Sequence, residues 1–75
     1  MDVQMMFCVA TISDGAMSFV KNDCSLTTDI GKADWYFDKA EARNFARALH
    51  IVNKRAYVVL TIGYDTNDSI GLLNK

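Results

Sequence analysis

Positions 5–12 are dominated by strand-forming residues, and the run stops at Ser13, Asp14 and Gly15. An Asp-Gly pair between apolar runs signals a hairpin, because a type I′ turn needs positive φ at both central positions. Positions 16–21 supply the returning strand. A two-residue loop pairs Ser13 with Ala16 and sets Cys8 opposite Lys21; a three-residue loop shifts that register by one. Positions 22–25 read as a loop, and Thr27, Thr28 and Asp29 as the cap of a single helical turn. Their side-chain oxygens accept from the orphan amides that open a helix. Gly31 opposes a longer helix there. Trp35, Tyr36 and Phe37 follow as a short aromatic strand or extended bridge.

The period then changes. Ala42, Phe45, Ala46 and Leu49 fall at i, i+3, i+4 and i+7, one apolar stripe of a helix, with Lys39, Arg43, Asn44 and Arg47 on the other side. Asp38 and Glu41 stand at capping-box spacing, so the helix is expected over 39–50. A polar break at 53–55 precedes a β-branched and aromatic strand at 56–62. Positions 65–69 are turn-rich, and 70–73 are apolar again. The order ββαβ, with an optional short strand before the helix, predicts an α+β fold: a small antiparallel sheet carrying one helix on one face. The chain reads as a single domain, 1–75, with its core in 5–62 and a tail at 65–75.

One helix covers one face, and a wet second face should then alternate apolar with polar. The last strand does not: Ala56, Val58, Leu60 and Ile62 point one way, and Tyr57, Val59 and Thr61 the other. The first strand likewise divides into Phe7 and Val9 against Met6, Cys8 and Ile12. A second face this apolar implies a cover, either the tail through Ile70, Leu72 and Leu73 or another chain. Small cores are commonly supplemented by self-association. The expectation is a homo-oligomer, a dimer, with Tyr57, Val59, Leu72 and Leu73 as partner-binding residues.

Composition narrows the class. Hydrophobic residues make up 51% of the chain and charged residues 23%, which excludes the apolar-poor composition of disordered chains. A formal charge of -1 excludes a general polyanion binder. Basic residues nevertheless concentrate locally: Lys39, Arg43, Arg47, Lys54 and Arg55 stand against Glu41 alone between positions 39 and 55. Lys39, Arg43 and Arg47 share a helix face, where like charges repel. A solvated face is the plainer account of that row, and a nucleic-acid contact the second reading.

No constellation supports catalysis. His50, near the helix C-terminus, suits the dipole there, and no nucleophile, base and orienting group converge on it. The aspartates lie in turn and cap contexts, and the four glycines are scattered singly. Cys8 and Cys24 read as a buried strand cysteine and a loop thiol, too few for a disulfide framework or a metal site. The expectation is a non-enzyme with no cofactor and no metal. The longest wholly apolar run after the first strand, 56–60, is far below the roughly 20 residues that span a bilayer, and the first residues lack the basic region of a leader. A cytoplasmic setting without membrane contact is expected.

The run of Thr27, Thr28 and Asp29, then Ala33, Phe37, Glu41, Ala42, Phe45, Ala46 and Leu49, preceded by an Asp-Gly hairpin, resembles small uncharacterised proteins of phages and prophages of Gram-positive bacteria. The resemblance spans roughly positions 6–62 and excludes the basic row and the apolar tail. It implies the cytoplasm of an infected or lysogenic host cell and brings no functional residues. As analogy, it favours a protein-interaction module binding a host or phage protein. A nucleic-acid-binding accessory protein using Lys39, Arg43, Arg47, Lys54 and Arg55 is the alternative.

Overall fold

A computed structural model of the chain describes residues 3–65. Its elements are β1 (Val3–Ser13), β2 (Ala16–Val20), β3 (Leu26–Thr27), a 3₁₀ turn (Ile30–Lys32), α1 (Lys39–Asn53) and β4 (Val58–Asp65). The strands form one antiparallel sheet in the order β3-β2-β1-β4. The fold is α+β, with α1 packed on one face of the sheet.

The hairpin has the two-residue loop. Asp14 and Gly15 both take positive φ, 53° and 79°, as a type I′ turn requires. Ser13 pairs with Ala16, Ile12 with Met17, Thr11 with Ser18 and Ala10 with Phe19. β2 ends at Val20, so Lys21 does not extend the ladder to Cys8. The Lys21 amide donates instead to the Ser25 carbonyl at 2.8 Å, and the Asp23 carboxylate accepts from the Ser25 amide and hydroxyl. This tight turn brings Leu26 and Thr27 back onto β2 as a two-residue strand within a stretch the sequence marks only as loop and cap.

Where β2 stops, the aromatic segment takes over its place beside β1. The Asp34 amide donates to the Val20 carbonyl at 3.0 Å, and Tyr36 and Phe7 exchange both backbone bonds at 2.7 and 2.8 Å. Trp35 to Phe37 is therefore the extended bridge rather than a full strand. Between β3 and this bridge, Asp29 caps the 3₁₀ turn by accepting from the Gly31 amide at 2.9 Å.

α1 opens at Asp38, whose carboxylate accepts from the Ala40 amide at 2.9 Å, with Glu41 in the positive first turn. It runs to Asn53, three residues past the expected end, and stops where Lys54 enters the left-handed region at φ 56°. Its stripe meets the sheet through buried Ala42, Ala46 and Leu49 and half-buried Phe45. These residues join Val9 and Val20 in the core, with Phe7, Tyr36, Tyr57 and Val59 packed around them. Two alanines at the contact let the helix backbone approach the sheet closely. No helix among the described residues is long and apolar enough to cross a membrane.

β4 begins at Val58, two residues later than expected, and continues through Asp65 into the segment read as turn. Its late start has a local cause. The buried Thr11 hydroxyl donates to the Ala56 carbonyl at 2.7 Å, tying the chain between α1 and β4 to the centre of the sheet before the ladder resumes at Ala10 and Val58.

Candidate functional site

Two surfaces carry the features that the sequence singles out. The first is the sheet face turned away from α1. Alternation along β1 and the register with its neighbours place Met6, Cys8, Ala10 and Ile12 there, flanked by Met17 and Phe19 from β2 and by Val58, Leu60 and Ile62 from β4. Met6, Cys8 and Ala10 are buried, while Phe19, Leu60 and Ile62 are half-buried. At the hairpin end the face is exposed: Ile12 by 61%, Val58 by 48% and Met17 by 42%. These three side chains adjoin, because Ile12 pairs with Met17 and Val58 pairs with Ala10, two residues along the same strand. They line a shallow hollow of about 190 Å³ with Thr11, Arg55 and Ala56.

The division of the last strand into two sets is correct, but the helix takes the set expected to be free. Val59 and Tyr57 pack against the helix-side core. This corrects their assignment to the second face, which belongs to Val58, Leu60 and Ile62. The reason is register: Val59 stands opposite Val9, so it shares the face on which Val9 meets α1. Leu72 and Leu73 lie outside the described residues.

The second surface is an open groove of about 410 Å³ between α1 and β4, lined by Arg43, Ala46, Arg47, His50, Ala56, Tyr57 and Val59. Its polar rim is basic and its floor apolar, with no carboxylate in the lining. His50 Nδ1 lies 2.9 Å from the Arg55 carbonyl, and the Asn53 amide donates to the Tyr57 hydroxyl at 2.9 Å, so the chain reversal below the groove is braced twice. The five basic residues are all exposed but do not form one platform. Arg43 and Arg47 line the groove, Arg55 turns to the hollow at Ile12 and to another at Cys24 and Leu26, and Lys39 and Lys54 line none of these.

The aromatic group is divided in the same way. Tyr36 packs on Phe45, ring centroids 6.0 Å apart and tilted by 47°, while Trp35 is half-buried and Phe37 exposed. Burial, then a hydrogen bond to the Asp34 carboxylate, holds the Tyr36 phenol well above its ordinary range. Cys8 is buried and Cys24 exposed, both as free thiols, and burial pushes the Cys8 thiol up, away from the thiolate form. No group of three or more His, Cys, Asp or Glu side chains among the described residues is placed to hold a metal ion.

Comparison with models of protein families, with curated proteins and with solved structures finds no match. The functional reading therefore rests on the two surfaces themselves. Sequence reasoning passed over Met17 and misassigned the face of Val58. Met17 was within reach, because the Asp-Gly loop fixes its pairing with Ile12. Val58 was not, because its face depends on which strand β4 joins and in what register.

Proposed function

We propose that the chain is a non-catalytic protein-interaction module that self-associates through the hairpin end of the sheet face turned away from α1. The observation that carries this reading lies at the hairpin end of that face, beyond the already buried Met6, Cys8 and Ala10: Ile12, Met17 and Val58, three large apolar side chains, are exposed side by side there. Water is a poor partner for such a surface, and a 75-residue chain buries only about 60% of its unfolded surface by itself. A second copy offers the same cluster across a two-fold axis, the common geometry of small homodimers. The resemblance to phage and prophage proteins supports a setting in the cytoplasm of an infected or lysogenic cell, with a host or phage protein as a further partner.

Paired substitutions test the reading. Ile12→Glu with Val58→Glu is expected to convert the dimer to a monomer that still unfolds cooperatively. Arg43→Glu with Arg47→Glu is expected to leave the dimer intact, and raising the salt concentration should not dissolve it. The alternative, nucleic-acid binding, has Arg43 and Arg47 in its favour, since both line one groove. It predicts binding of single-stranded DNA that weakens steeply with salt and is lost in the arginine double variant.

A further inference from the structure

Among the described residues β4 has β1 as its sole strand neighbour, which leaves its outer edge unpaired. Register decides which backbone groups point there. Phe7 exchanges both of its backbone bonds with Tyr36, on the side of β1 away from β4. A residue within an antiparallel ladder bonds to one side only, so Phe7 and Thr61 form a pair without hydrogen bonds between them. The pairs two residues away, Val9 with Val59 and Met5 with Gly63, are of the same kind. The N–H and C=O groups of Val59, Thr61 and Gly63 therefore point outward. This edge is eight residues long, in unbroken register with β1, and from Val58 to Tyr64 it contains no charge and no proline. Bulges, prolines and lysines are the usual protections of a free edge, and β4 has none of them. Alongside it lies the groove with Arg43 and Arg47 on its rim and Tyr57 and Val59 on its floor.

We propose that the outer edge of β4 accepts an extended acidic segment of a partner protein as an added strand, its carboxylates bound by Arg43 and Arg47. The outward N–H and C=O groups supply the ladder, and the arginines supply the choice of charge. A second copy fits this edge poorly. Two-fold pairing of β4 with β4 puts both helices on the same side of a continuous sheet and sets the Arg43 and Arg47 rows against each other. Nucleic acid fits poorly as well, because phosphate oxygens accept but do not donate, and half of the outward backbone groups are carbonyls. This edge is a different surface from the apolar face, so the added strand and the dimer fail or hold separately.

The probe is a capped ten-residue peptide alternating glutamate with valine, added to the full chain while amide exchange is followed by NMR. Slowed exchange at Val59 and Thr61 is expected, with affinity falling about tenfold or more in the Arg43→Glu, Arg47→Glu variant. Thr61→Pro is expected to fold, since its amide faces outward, and to lose the peptide. The arginine variant keeps the test open if the proline variant does not fold. The proposal would be overturned by equal binding of a lysine-valine peptide, by no change at Val59 and Thr61 with millimolar peptide, or by amides at both positions already protected in the free protein. The last result would mean that the chain's own tail or a second copy occupies the edge. Binding of a single-stranded oligothymidylate to Arg43 and Arg47, without binding of the acidic peptide, would also overturn it.

Discussion

Thr11 is a buried hydroxyl in the central strand, and its 2.7 Å bond to the Ala56 carbonyl joins the start of the chain to the turn between α1 and β4. Thr11→Val keeps the shape and removes the donor, so unfolding in urea is expected to show a loss of about 1 kcal/mol. Lys54 behaves oppositely. It holds a left-handed conformation at the end of α1, where a Cβ is unfavourable and glycine is preferred. Lys54→Gly should therefore raise stability by up to about 1 kcal/mol, provided the Lys54 amide still reaches the His50 carbonyl. Tyr36 sets a pH limit. Its phenol ordinarily ionises near 10 and is raised in the folded chain by burial and by Asp34. Above that pH the unfolded state releases a proton that the folded state keeps, so stability present at lower pH is lost as pH rises. The urea midpoint of the native chain should fall more between about pH 9 and 11 than that of Tyr36→Phe.

At the scale of elements, α1 and the hairpin were legible because their signals are local. Asp38, the stripe through Ala42, Phe45, Ala46 and Leu49, and the Asp14-Gly15 loop each specify geometry within a few residues. The two-residue strand at Leu26–Thr27 was not legible, since it depends on a turn held by Asp23 and on the free side of β2. The position of β4 was hidden for a related reason. Nothing in its residues states that it pairs with β1 across the full length from Val3 to Ala10, and that pairing decides which of its faces α1 covers. Hence the sequence separates Tyr57 and Val59 from Val58 and Leu60 yet cannot say which set is free. Leu49 tests how far the sheet depends on its helix. Leu49→Ala removes the one large buried side chain of α1 from a contact otherwise made by two alanines and the half-buried Phe45, and a loss of about 2–4 kcal/mol is expected by chemical denaturation. In a domain this small, that is enough to leave a large unfolded fraction.

The described residues place one helix over four strands, with the basic groove on the helix side and the exposed apolar cluster on the other side of the sheet. That separation would let the two proposed associations proceed without competing, a second copy on the face and an acidic strand at the edge of β4. The central claim concerns the face, where Ile12, Met17 and Val58 stand exposed together. Light scattering on a size-exclusion column tests it most directly, using the native chain and the Ile12→Glu, Val58→Glu variant at matched concentrations. The account predicts a native peak at twice the 8.4 kDa chain mass that persists in high salt, and a variant at the single-chain mass. A native chain that remains at 8.4 kDa as concentration rises, indistinguishable from the variant, would contradict it.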